Sequence, residues 1–193
     1  MSTYLITGAT GFLGRRIVPL LLERDPEAVV HLLVRPSSAW KLDAWRARWG
    51  EDRVRPLPGD LGAPGLGIEA EPAGIDAVLH LGAVYDMAAG DAANDRVNVE
   101  GTRAVIELAR RAGAELHHVS SVAVAGDYRG TFGENDFDLG QGFPSPYHRT
   151  KFESEKLVRE AEGLRWRVYR PAIVVGDSRT GEMDKVDGPY YFF

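Results

Sequence analysis

Short apolar runs alternate along the chain with longer stretches in which apolar residues recur every three or four positions, the pattern of strands followed by amphipathic helices. Tyr4-Leu5-Ile6-Thr7 predicts a first strand. A helix is expected from near Phe12, with Ile17, Leu20, Leu21 and Leu22 on its apolar stripe. The run 29–34 is almost wholly apolar, as a strand buried on both faces must be. A helix over about 38–49, with Trp40, Trp45 and Trp49 near one packed face, precedes a third strand around 54–57. Residues 76–81 predict a fourth strand, and a long helix over about 94–111 leads to a fifth at 116–120. A helix over about 146–162 leads to a sixth strand at 167–170. Strands that alternate with helices in this way predict an α/β fold built on a doubly wound parallel sheet. Residues 58–74, with five Gly and three Pro, and the Gly- and Asp-rich stretch 126–146 are expected to be loops.

Composition narrows the chemistry. The 193 residues include no cysteine, which excludes disulfides, a thiolate nucleophile and Cys-ligated zinc or iron–sulfur centres. The net charge is −5, and the 19 Arg and 4 Lys are scattered, so no nucleic-acid partner is expected. Arg110, Arg111, Arg165 and Arg167 are expected on solvated surface, as are Glu153 and Glu155 beside Lys156. His117 and His118 lack a carboxylate at metal-ligand spacing, so packing or surface roles are expected and no metal. No apolar run approaches the ~18–20 residues of an integral membrane span. Met1-Ser2-Thr3 carries no basic leader, and a cytoplasmic location is expected.

Three features carry candidate chemistry. Thr7-Gly8-Ala9-Thr10-Gly11-Phe12-Leu13-Gly14 lies between the first strand and first helix with Gly-x-x-Gly-x-x-Gly spacing. Gly8 suits a tight turn, Gly11 lets backbone N–H groups approach a pyrophosphate, and Gly14 lets helix and sheet pack closely. A glycine-rich turn without ligand is the plain alternative; the strand-then-helix context favours a dinucleotide cradle, and with it a Rossmann-type sheet. The second strand ends Val34-Arg35-Pro36-Ser37-Ser38, without the acid that would hold a ribose 2′-hydroxyl. Arg35, helped by the hydroxyls of Ser37 and Ser38, suits a 2′-phosphate and therefore NADP(H). Tyr147 and Lys151 stand four apart at a helix start, on one face, where the ammonium can lower the phenol pKa toward neutrality. Ser120-Ser121 ends the fifth strand, where an open parallel sheet presents its ligand crevice; capping a local turn is the alternative for a serine there.

Together with Gly59-Asp60-Leu61, His80-Leu81-Gly82-Ala83, Asn98-Val99-Glu100-Gly101-Thr102 and Tyr169-Arg170-Pro171, these motifs resemble, in family order, an extended short-chain dehydrogenase/reductase. Ala83-Val84-Tyr85-Asp86-Met87 and the segment 176–193 are similar to the fatty acyl reductase, or male-sterility-type, branch, and within it to the N-terminal reductase domain of bacterial alcohol-forming fatty acyl-CoA reductases. The resemblance implies Tyr147 as acid/base, Lys151 on the nicotinamide ribose, Ser121 polarising the carbonyl and Asn98 anchoring a proton-relay water. It implies cofactor contacts at Gly8, Thr10, Gly11, Phe12, Leu13, Gly14, Arg35, Ser37, Asp60, Leu61, Leu81, Gly82, Ala83, Pro171 and Ile173. Gly82 departs mildly from the pattern, and Ala125, where many relatives carry Tyr, implies a wider substrate pocket.

The implied function is NADPH-dependent hydride transfer to the carbonyl of a fatty aldehyde or acyl thioester. A sugar-nucleotide epimerase or dehydratase, and a non-catalytic NADP(H)-binding module, are the alternatives. Residues 1–175 are expected to form the NADP(H)-binding domain and 176–193 to begin a truncated substrate lobe. The closing run Tyr190-Tyr191-Phe192-Phe193 leads us to expect a longer chain, with a homo-oligomer or further domains as partners.

Overall fold

A computed structural model describes residues 2–84 and 91–183. Tyr85, Asp86, Met87 and the closing Tyr190-Tyr191-Phe192-Phe193 lie outside the described residues. Six strands form one sheet: β1 (Thr3–Thr7), β2 (Val29–Val34), β3 (Val54–Pro58), β4 (Ala77–His80), β5 (Glu115–Val119) and β6 (Trp166–Tyr169). Every pairing is parallel and the order is β3-β2-β1-β4-β5-β6, so the fold is the expected Rossmann-like α/β architecture. The order reverses at β1, between β2 and β4, and a sheet of this kind opens its ligand crevice at that switch point, beyond the carboxyl ends of the strands.

Alternation along the strands sends side chains to two cores. Ile6, Val30, Leu32 and Val54 pack beneath α1 (Gly14–Arg24) and α2 (Asp43–Trp49). Leu5, Val78 and Leu116 pack on the other face with Val105, Leu108 and Ala109 of α4 (Gly101–Ala112) and Val158 of α5 (Pro146–Arg159). The chain leaves α4 through Gly113, whose φ of 67° is the left-handed stop that glycine supplies cheaply. Pro146 opens α5, where a missing N–H costs nothing.

Two helix expectations need correction. The segment expected as one helix over 38–49 begins as a 3-10 run (Pro36–Leu42), because Pro36 sets the first turn. Trp40 in that run is largely exposed, while Trp45 and Trp49 pack against the core. The expected helix 94–111 is a short α3 (Asp91–Asn94), a π-turn (Asp95–Glu100) and then α4. The wider turn carries Asn98, whose amide ties to Val84 at the crevice. Among the described residues no helix is long and apolar enough to cross a membrane.

Candidate active site

The turn after β1 leaves no room for side chains. Gly8 has φ of 70°, and a Cβ there would sit 2.6 Å from the backbone nitrogen of Gly82. A Cβ on Gly14 would meet the carbonyl oxygens of Gly8 and Ala9 at 2.4 Å. A Cβ on Gly11 would meet only the Gly8 carbonyl oxygen, at 3.2 Å, so its outer side is open. Here α1 begins, and the first N–H groups of a helix have no intrahelical acceptor. These features fit a dinucleotide phosphate: bare backbone and a positive helix end on one side of an open turn.

Thr7 fixes the floor of the turn. Its Oγ1 accepts from the Gly82 N–H at 3.1 Å and pairs with His80 Nδ1 at 2.7 Å, while His80 Nε2 meets Thr102 Oγ1 at 2.9 Å. Burial, reinforced by the charge of Lys151, pushes His80 down to about 3. The imidazole is therefore a neutral strut between β1 and α4.

Gly8, Thr10, Gly11, Arg35, Asp60, Leu61, Gly82 and Ala83, all expected at the cofactor, line one cleft of about 290 Å³. Ser38 lines it, and the expected Ser37 is exposed one residue away. The cleft also has Gly59 and Val84, from motifs noted above, and Val97, which nothing in the local pattern marks. Asp60 Oδ1 accepts from Gly62 N–H at 2.9 Å and so shapes its own turn. Leu13, Leu81 and Pro171 line a separate groove of about 710 Å³ that runs past Ile17, Val119 and Tyr169. Phe12 lies under the Arg16 guanidinium, 3.8 Å from ring centroid to Cζ, and Ile173 is largely exposed.

The second constellation is built on α5 and β5. Lys151 is buried, and its Nζ donates to the Val119 carbonyl at 2.8 Å, on the last residue of β5. Burial lowers its ammonium to about 8, against the opposing charge of Glu155. Tyr147 is half-buried on the first turn of the same helix, its ring edge-on to His148. Ser121 follows β5 and accepts from the Ala123 N–H at 3.1 Å, capping the 3-10 turn Val122–Ala125. Asn98 Oδ1 accepts from Val84 N–H at 2.8 Å, and its Nδ2 faces Val84 O, Asn94 Oδ1 and Thr150 Oγ1.

The solvated role expected for Glu155 is wrong. Its side chain is completely buried, because Arg159 and Arg170 close on its carboxylate from α5 and from the end of β6. Glu153 remains partly exposed and pairs with Arg149. His118 is buried beside His80, ring centroids 5.3 Å apart, and burial together with Lys151 and His80 keeps it neutral. Arg110, Arg111 and Arg167 are surface groups paired with Glu107, Glu71 and Glu115.

Residues 6–193 match the family model described as Male sterility protein. Among solved structures the chain is similar to the terminal R domain from the myxalamid PKS-NRPS biosynthetic pathway, with 32% identity and a TM-score of 0.85, over 97% of this chain and 53% of that one. A dTDP-glucose 4,6-dehydratase from Streptomyces venezuelae, solved with NAD bound, is 28% identical with a TM-score of 0.67, over 86% of this chain and 54% of that one. The peramine synthetase ppzA of Metarhizium rileyi is 30% identical over 94% of this chain but 7% of its own length. The chain thus spans about half of the solved relatives and a small part of the multidomain synthetases it matches.

Proposed function

Because the chain belongs to the male sterility protein family, of extended short-chain dehydrogenase/reductase type, we propose that it is an NADPH-dependent reductase of an acyl thioester or aldehyde carbonyl. The observation that carries the reading is Lys151, buried and tied to the end of β5, one helical turn after Tyr147. A lysine taken out of water at that cost needs a task, and holding a ribose beside a tyrosine is one.

Residues 1–175 would form the cofactor domain and 176–193 would begin the substrate-binding segment. NADP(H) over NAD(H) rests on Arg35, exposed at the mouth of the cleft with no acid beside it at the end of β2. The same residue weighs against the NAD-linked epimerase or dehydratase reading. When bound, the nicotinamide supplies the hydride. Lys151 holds its ribose, Tyr147 delivers a proton to the carbonyl oxygen, and Ser121 donates a second hydrogen bond, its lone pair already held by the Ala123 N–H. Asn98 braces the backbone at Val84 beside the cleft.

The named relatives include synthetase reductase domains, which favours an acyl thioester over a free fatty aldehyde. With no cysteine in the chain, that thioester is attacked by hydride without a sulfur-linked acyl-enzyme. The test is loss of NADPH absorbance on adding acyl thioesters and aldehydes of graded chain length. Substrate-dependent oxidation of NADPH is expected, and its absence with every thioester and aldehyde would overturn the proposal.

A further inference from the structure

We infer that Glu155 is the positioning residue of this reaction: through Arg170 it pins the helix of Tyr147 and Lys151 to the end of β6 and to the 133–136 loop. The inference rests on the reductase reading above. Glu155 stands one turn beyond Lys151 on α5, the next position on the face that carries Tyr147. Its Oε1 accepts from Arg159 Nε at 2.7 Å and from the Arg170 guanidinium at 2.6 Å; its Oε2 accepts from Arg170 Nε at 3.1 Å.

Arg170 passes the tether on. It donates to the Asp136 carbonyl at 2.9 Å and the Gly133 carbonyl at 3.3 Å, and its guanidinium lies over Phe132. Arg170 directly precedes Pro171, at the end of β6. One carboxylate therefore sets the relative positions of the Tyr147–Lys151 helix, the end of β6 and the 133–136 loop. Removing it would leave buried guanidinium donors unmatched, the costly way to break such a cluster.

The charges around Lys151 give Glu155 its second task. From β4 and β5, His80 and His118 face the ammonium, and both are neutral. On the π-turn packed against α5, Asp95 is committed to Arg149. The remaining charged neighbours, Arg159 and Arg170, are cations engaged with Glu155 itself. Glu155 is the anion that opposes the desolvation of Lys151. Burial pushes its own carboxyl up, but hydrogen bonds from Arg170 and Arg159 outweigh this and hold it ionised.

The test uses the protein at its full natural length, with Glu155→Gln and Glu155→Asp, titrated with NADPH across pH and assayed for turnover. In the unsubstituted protein, NADPH affinity should fall along a limb near pH 8 as Lys151 loses its proton. Glu155→Gln should move that limb down by at least ~0.5 pH unit and lower kcat by ~10-fold or more, with affinity below the limb held within ~3-fold. Glu155→Asp keeps the charge but withdraws it by a methylene, so the limb should stay and kcat should fall. A limb unmoved in Glu155→Gln, or wild-type kcat in Glu155→Asp, overturns the inference; if Glu155→Gln does not fold, the Asp variant decides alone. Failure of the unsubstituted protein to bind NADPH is a different result, the failure of the reductase reading, and is seen before any variant is compared.

Discussion

Acid should loosen the cofactor floor before it unfolds anything else, through His80. This imidazole bridges Thr7 and Thr102, and Thr7 in turn holds the Gly82 N–H beneath the glycine turn. Its pKa is about 3 in the folded chain against an ordinary 6.5, so the unfolded state binds the proton first. The stability that follows is complete above pH 6.5 and is lost as pH falls toward 3. At pH 5 the folded imidazole is still neutral, and the loss is about 1.5 pH units at 1.36 kcal/mol each, or ~2 kcal/mol. His118, His31, His117 and His148 are shifted down as well and add in the same direction. Glu155 enters only below the ordinary carboxylate range, so an interval from pH 7 to 5 isolates the histidines. Urea unfolding at the two pH values, on the wild type and on His80→Gln, measures the effect. The variant should lose ~1 kcal/mol at pH 7 from one broken hydrogen bond, yet its drop between pH 7 and 5 should be smaller by ~2 kcal/mol. Equal drops in the two proteins would refute the buried neutral strut.

Two further substitutions test the cleft. Arg35→Asp should cut NADPH affinity by ~10- to 100-fold while leaving NADH affinity the same or better, the scale of one lost charge-assisted pair; equal wild-type affinity for both cofactors would remove Arg35 from the site. Gly8→Ala must relieve a contact of 2.6 Å with Gly82 and a φ of 70°, so melting temperature and NADPH affinity should both fall, by ~1–3 kcal/mol in stability; unchanged binding by titration calorimetry would show the turn is not the cradle.

Legibility in the sequence followed the range of the physics. The sheet was readable because strands buried on both faces are continuous apolar runs, as in 29–34, and the parallel order follows from the helical crossovers between them. The glycine turn was readable because its constraint is local: Gly8 and Gly14 meet backbone within a few residues or at the adjacent strand. Lys151 was readable by its spacing from Tyr147, but its burial was not. Glu155 was misread because Glu155 beside Lys156 on an amphipathic helix looks solvated, and the group that buries it, Arg170, arrives from another strand. The π-turn at 95–100 left no trace in hydrophobic period, since one extra residue per turn is within the tolerance of a helical stripe. Val97, on the π-turn, reaches the cleft only through tertiary packing. The resemblance to fatty acyl-CoA reductases pointed to a lipid substrate, and the synthetase relatives shift the proposal to acyl thioesters more broadly.

The central claim, that Tyr147 and Lys151 reduce a carbonyl with NADPH, is tested most directly by one comparison. Single-turnover oxidation of bound NADPH by an acyl thioester should be followed in the full-length protein and in Tyr147→Phe, which deletes only a hydroxyl. The account predicts unchanged NADPH affinity and a rate lower by ~10²–10⁴-fold in the variant, the contribution of a lost general acid. A Tyr147→Phe protein that binds NADPH and turns over at the wild-type rate would contradict it.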